Sequence, residues 1–472
     1  MKLKYIKVLL PVITAFLAPG NATFAQRIAA GGWHSVVICS DGTVKAFGEN
    51  ATGQLGNGTT TDQSTPVPVT GLSGVSGVSA GGDQLEAHSM ALKSDGTVWT
   101  WGSNIYGGLG NGTTTSTTAP VQATGLSGIT AISAGGWHSV ALKSDGTVWA
   151  WGWNSDGQLG DGTTTDRNTA VQVIGLSGVT AIAAGTYHVL ALKSDGTVWA
   201  WGDNVSGQVG DGSTTDRTSP VQVSGLTGVV KIAAGRFFSL AVKSDGTVWT
   251  WGENLYGQLG NGSTTDSHTP VQVSGLTGIT TATAATGAFH VMAEKSDGTV
   301  WAWGRNTYGN LGDNTTANSS TPVQMTGISS VAGMAAGTNF SLVHKDDGTF
   351  WGCGRNASGQ LGDGTVTQHN TLTQSMLVCS IKDVTGIGTA YVANVSDIAA
   401  FPNPSAEGKF QFATTFDVQS VEVYSLLGAK VFAANSDQLE QGTIDISNQP
   451  TGIYMLTIKS GGNSFYQKLV KQ

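Results

Sequence analysis

The stretch Lys143-Ser144-Asp145-Gly146-Thr147-Val148-Trp149-Ala150-Trp151-Gly152 returns almost unchanged along most of the chain. Ser-Asp-Gly-Thr is a tight-turn sequence: Asp tolerates turn geometry and Gly supplies the positive φ a hairpin needs. The flanking segments are rich in Val, Leu, Ala and Trp, which suit strands. The unit reads as a β-hairpin. Its Asp falls at Asp41, Asp95, Asp145, Asp195, Asp245, Asp297 and Asp347, giving seven copies spaced 50 to 54 residues apart.

A fixed period of this kind outranks local signals in deciding a fold. Each copy carries four blocks, in the third copy residues 129–132, 138–143, 147–151 and 170–173. The glycine-rich connection Gly157-Gln158-Leu159-Gly160-Asp161-Gly162 separates the last two. Four short strands per copy make one antiparallel sheet, and seven sheets packed in a closed ring bury their faces without long exposed edges. The expected fold is all-β, a seven-bladed β-propeller followed by a small C-terminal β-sandwich. The first copy, starting at Arg27-Ile28-Ala29-Ala30-Gly31, has no strand block before it, and residues 372–378 follow the last. The segment after the seventh copy is therefore expected to close the ring by completing the sheet begun at Ile28.

The blocks Ala-Gly-Gly-Trp-His-Ser, Ser-Asp-Gly-Thr-Val-Trp-Ala-Trp-Gly and Gly-Gln-Leu-Gly-Asp-Gly resemble the repeat of the regulator of chromosome condensation family. That resemblance covers roughly three quarters of the chain and implies a seven-bladed propeller. The family's exchange factor acts on a small GTPase through a larger protruding wedge. Nothing in this sequence offers one, so the resemblance does not carry that activity here.

The ends carry different signals. Residues 1–25 have a basic start, an apolar run over 8–18 and a short polar stretch, the layout of a secretory signal peptide cleaved between Ala25 and Gln26. The run is too short to span a bilayer, and no other segment qualifies, so the product is expected in the secreted or surface-attached fraction. The propeller is assigned to 26–380, a linker to 381–400 and a second module to 401–472. Phe401-Pro402-Asn403-Pro404, Leu427-Gly428-Ala429-Lys430-Val431, Pro450-Thr451-Gly452-Ile453-Tyr454 and the terminal Lys468-Leu469-Val470-Lys471 make this module similar to the type A C-terminal sorting domain of the type IX secretion system. The resemblance implies a Bacteroidetes-type source, export across the outer membrane and the secretion machinery as a partner.

Charge and motifs narrow the function. The formal net charge is −8 with charged residues at only 11%, and an acidic surface repels phosphate backbones, which argues against nucleic acid. No cofactor motif, phosphate-binding loop or nucleophile elbow occurs. The stretches 161–166 and 211–216 lack the alternating carboxylates and terminal Glu of a calcium loop, so no metal is expected. The histidine of each repeat (His34, His88, His138, His188, His290) is replaced by Phe238 and Phe340 in two copies, which marks it as a packing residue. Repeat two inserts residues 83–87 beside His88, and repeat six gains two residues around Thr286-Gly287-Ala288. Of the three cysteines, Cys353 stands at a Trp position, while Cys39 and Cys379 fall at the two ends of the ring and form a candidate disulfide latch.

A binding surface is the reading best supported. The residue before the repeat His or Phe is Trp33, Trp137, Tyr187, Phe237 or Phe289 in five copies. The loop after each Trp-Gly-x-Asn adds Tyr106, Tyr256 and Tyr308, with Trp153 just before Asn154. Equivalent positions in a propeller form rings, and aromatic side chains on a rigid scaffold anchor protein or sugar partners. The expectation is an exported, monomeric, non-enzymatic scaffold for an unknown protein or glycan. The alternatives are a secreted enzyme acting on polysaccharide through an irregular loop, and a purely architectural surface protein. A carboxylate of strongly raised pKa in a cleft would favour the enzyme.

Overall fold

The computed structural model of the protein describes residues 27–39, 42–82, 86–377, 398–401, 405, 407, 409–414, 419–425, 430–435, 443–460 and 463–471. The expected signal cleavage site at Ala25–Gln26, residues 83–85 of the insertion and residues 381–397 of the expected linker lie outside them. The chain divides into two compact units, 1–381 and 382–472.

The first unit holds seven four-stranded antiparallel sheets, each paired in simple sequence order. In blade three the strands are Ile129–Ala134, His138–Lys143, Val148–Gly152 and Arg167–Gln172. The repeated turn works as its composition requires. Asp145 accepts the Thr147 N–H at 2.9 Å and the Thr147 hydroxyl at 2.6 Å, while Gly146 adopts φ 79°. First strands of adjacent blades touch one another around the ring, including blade one against blade seven, so they line the axis.

Blades join through a repeated set of ties. At every seam the glycine-rich loop donates a backbone N–H to the outer strand of the next blade, as in Gly162 to Thr218 (2.9 Å) and Gly212 to His268 (3.1 Å). In blades two to six the second Trp of the hairpin is fully buried and donates its indole N–H backwards, as in Trp201 to the Gln158 carbonyl at 2.9 Å and Trp251 to the Gln208 carbonyl at 2.8 Å. Truncating such a side chain removes its apolar burial and opens a cavity, a loss of about 3–5 kcal/mol.

Closure differs from the expectation. Blade one is complete in itself, from Ile28–Ala30, His34–Ile38, Val44–Gly48 and Gln63–Pro68. The strand His369–Gln374 pairs with Phe350–Gly354 as the outer strand of blade seven, not with blade one. The fourth block of each repeat follows its own hairpin into the same sheet, so the first repeat lacks no strand. The ring closes by packing of Ile28, Val37 and Phe47 against Phe340, Leu342 and Leu361, with Leu377 in the same cluster. Gly364 donates to the Ser64 carbonyl at 2.9 Å across this seam. Cys39 is disulfide-bonded; its expected partner Cys379 lies outside the described residues. Cys353 is free and buried, its thiol pushed up to about 12 by burial and then by Asp313.

The second unit is a small sandwich. A three-stranded sheet (Ile398–Phe401, Lys409–Thr414, Thr443–Asp445) faces a four-stranded one (Lys430–Asn435, Ser420–Ser425, Gly452–Ser460, Asn463–Lys471). Phe410 and Ile444 from the first sheet meet Val421, Val423, Leu456 and Ile458 from the second in one buried core.

Candidate binding face

Two loops of every blade emerge at the same end of the ring: the one entering the second strand and the one leaving the third. A single backbone bond couples them in each blade. The N–H of x in Trp-Gly-x-Asn, or in the corresponding motif of blades one and seven, donates to the carbonyl of the residue before the repeat His or Phe. Examples are Trp153 to Trp137 (3.1 Å), Asp203 to Tyr187 (3.0 Å) and Arg355 to Asn339 (2.9 Å). Gly152 stands at the crossing with φ 104°, and a Cβ there would lie 2.4 Å from the Trp137 carbonyl. Only glycine permits the two loops to approach this closely.

The coupling brings the aromatic positions together. Trp137 lies 5.2 Å from Trp153 and 5.5 Å from Tyr187, centroid to centroid, and Tyr187 stacks on Phe237 at 5.0 Å with 13° between planes. Tyr106 joins the same group through Trp137 and Trp153, at 6.2 and 6.1 Å. Tyr256 meets Phe289 edge-on at 5.4 Å. Trp33 and Tyr308 are linked by Arg355, whose guanidinium carbon lies 4.0 Å from the Trp33 ring centre and 5.9 Å from that of Tyr308. The nine side chains make a crescent of three contact groups at this end; Phe289 is buried and the other eight are partly or well exposed. It is interrupted at blade two, where Ala87 stands in the ring position, and at blade seven, where Asn339 does.

Sequence reasoning missed the cations. Arg236 lies over Phe237 and Phe289 (5.4 and 5.3 Å), and Arg305 over Tyr256 and Phe289 (5.1 and 5.5 Å). The available signal was the residue x after each Trp-Gly or its equivalent, which reads Glu49, Ser103, Trp153, Asp203, Glu253, Arg305 and Arg355 in an otherwise constant motif. The same ring supplies three carboxylates. Glu49 is pushed up to about 7 by burial and by Asp62, against the pull of Arg355. Burial raises Asp203 to about 6, and burial followed by Asp266 raises Glu253 while Arg236 opposes. Each stands on a different blade, and Glu49 and Glu253 accept from the amides of Gln54 and Gln258 at 3.3 and 3.0 Å.

The repeat histidines are fully enclosed, and burial drives His34, His138, His188 and His290 down to about 3 and His88 to about 4. Four of them reach the next blade through Nε2, as in His88–Ser139 (2.9 Å) and His188–Ser239 (2.8 Å). His88 is therefore tied to Ser139, while Glu86 accepts from the Ser103 hydroxyl; the two line a cavity of about 10 Å³, room for a single water. Asp161 holds Thr163 and Arg167, and Asn154 donates to the Thr163 and Thr165 carbonyls. This loop is a closed hydrogen-bond system built on a buried Asn. The extra residues of blade six have a definite place: Thr286 donates to the Ala134 carbonyl at 2.7 Å, and the Gly287 N–H to the Thr186 hydroxyl at 2.9 Å. They cross the axis to blades three and four and stopper the shaft at the aromatic end.

Residues 86–392 match the family model of the RCC1-like domain, and residues 26–54 and 41–92 match models of the regulator of chromosome condensation (RCC1) repeat. The chain belongs to the RCC1-like domain family. Residues 399–472 match the secretion system C-terminal sorting domain, which makes this an exported RCC1-like propeller. A stretch of 101 residues is 33% identical to the human E3 ubiquitin-protein ligase HERC2, covering 21% of this chain and 2% of that protein. The solved structure of human WBSCR16 is 25% identical with a TM-score of 0.59, over 66% of this chain and 85% of the other. Yeast RCC1 (Prp20), solved bound to Kap60, is 21% identical with a TM-score of 0.63, over 72% and 86%, and shares the fold. Among the described residues no helix is long and apolar enough to cross a membrane.

Proposed function

We propose that the exported propeller is a binding scaffold without catalytic activity, and that the aromatic crescent is its ligand-recognising face. The observation that carries this reading is the convergence of nine aromatic side chains from different repeats onto one end of the ring, eight of them accessible. Rigid, partly exposed rings give large contact area at low entropic cost. The sorting domain engages the secretion machinery, with a leader over 1–25, the propeller over 26–380 and a linker over 381–400. The Cys39 disulfide is assigned to Cys379, and the product is secreted or surface-attached and monomeric.

The test is capture of proteins and glycans by the full chain, beside a variant carrying Trp33→Ala, Trp137→Ala and Tyr187→Ala. Specific capture lost in a variant that still melts cooperatively supports the reading; capture that survives all three substitutions rejects it. The raised carboxylates Glu49 and Asp203 favour a second reading, an enzyme on polysaccharide using an acid of the same ring. Product release from polysaccharide that Glu49→Gln or Asp203→Asn abolishes would establish it.

A further inference from the structure

The crescent and the charges do not share the face evenly. Arg305 and Arg355 follow one another on blades six and seven, each stacked on rings. A stacked guanidinium keeps its planar fork of N–H donors directed away from the ring, matched to a carboxylate. Among the described residues neither arginine lies within ion-pair distance of a carboxylate, although Arg355 acts electrostatically on Glu49 of blade one; Arg305 spends only Nε, on the Thr307 hydroxyl at 3.3 Å. Asn339 replaces an aromatic ring beside Arg355, and its side-chain oxygen is buried without a partner. On the other arc the residues after Asn104, Asn204 and Asn254 are aliphatic and project into solvent: Ile105 is 46% exposed, Val205 65% and Leu255 63%. Sugars offer such side chains little, whereas a protein surface packs against them.

We propose that the partner is a protein that sets an apolar patch against blades two to five and an Asp or Glu carboxylate on Arg305 and Arg355. The inference rests on the binding-face reading and names its occupant. The chain carries a net charge of −8, so an acidic partner meets repulsion over most of the surface. A local cationic sector then fixes the partner's orientation.

The experiment presents the full chain with short immobilised peptides in three matched sets: apolar with Asp/Glu, the same with Asn/Gln, and the same with Lys. Polygalacturonate and a neutral xylan form separate arms. Acidic–apolar peptides are expected to bind about tenfold more tightly than their amide isosteres at low salt. Arg305→Gln with Arg355→Gln should remove that advantage, and Arg355→Lys should keep part of it because the charge remains without the fork; the Lys variant also serves if the Gln pair fails to fold. Equal binding of acid and amide peptides overturns the inference, and if the aromatic variant then loses both, the binding face itself survives. Binding of polysaccharide alone overturns the protein partner, as does failure to bind any peptide. Self-association of the wild type that the arginine variants abolish assigns the sector to a second copy and also overturns it.

Discussion

The seam between blades four and five and the seam that closes the ring use the same positions with different chemistry. In the first, the Gln208 carbonyl receives both the Ser239 hydroxyl (2.8 Å) and the Trp251 indole N–H (2.8 Å). Because Ser239 donates there, it accepts from His188, which places the proton on His188 Nε2. In the second, the Gln360 carbonyl receives Ser35 alone, at 2.9 Å. Phe47 fills the Trp position and Phe340 the His position, both fully buried. The closing seam keeps the shapes and loses donors. All seven seams share the outer backbone bond, and in five blades the aromatic or imidazole ring sits over a glycine, at Gly31, Gly135, Gly185, Gly235 and Gly337. The polar His–Ser relay is present at four of the seams and absent from the other three.

The largest expected difference between relay and apolar seams is their response to acid. The relay histidines have folded-state values of about 3 to 4 against an ordinary 6.5. Depressed values mean that the neutral form is the folded one. Their contribution is therefore complete above about 6.5 and is lost progressively as pH falls from there towards 3. Denaturation midpoints followed through that window should fall. The decline should be shallower when His188→Phe and Ser239→Val convert one relay seam to the apolar kind. An acid limb unchanged by the conversion would remove the histidines as its cause.

Next in size is the closing seam's own fastening. Cys39→Ser, or reductant on the wild type, should lower stability by about 2–4 kcal/mol, and non-reducing peptide mass spectrometry should find Cys39 joined to Cys379. A melt indifferent to reductant would mean that packing of Phe47 and Phe340 closes the ring unaided. Smaller again is Ser239→Val alone, which leaves the enclosed His188 without an acceptor at a cost of about 1–3 kcal/mol. Adding His188→Phe should recover most of that loss, because Phe238 and Val291 already form such a pair at the next seam, both fully buried in one cluster. A double-mutant cycle measures the coupling.

Much of this was legible in the residues. The Asp-Gly-Thr turn and its period define hairpin, blade and blade number, because every copy must satisfy the same turn geometry. The nine aromatic positions were legible because a period maps equivalent residues onto one ring. The mode of closure was not: a repeating string looks the same whichever repeat completes a sheet, and only pairing of His369–Gln374 with its own hairpin decides it. Arg305 and Arg355 escaped notice because they occupy the one variable place in a constant motif, where variation reads as tolerance. The two-residue lengthening at Thr286 was visible, but its reach to Ala134 and Thr186 depends on ring geometry that no local pattern encodes.

The smallest effect is the most discriminating. His138 alone among the repeat histidines has no partner for either ring nitrogen, because Val189 stands where Ser139 serves His88. It is a relay half built: the polar ring of one seam type faces the apolar partner of the other. Val189→Ser supplies the missing hydroxyl at a position that is 0% exposed, and should raise stability by about 0.5–1.5 kcal/mol, read as a shift in denaturant midpoint at constant slope. His138→Phe attacks the same mismatch from the other side and should stabilise by a similar amount while reducing acid sensitivity. If both substitutions are neutral, an unpartnered imidazole at this depth carries no cost, and the relays at the other seams contribute through shape alone. If only the serine stabilises, the hydrogen bond itself holds blades together, and the closing seam is weaker than its neighbours for want of it.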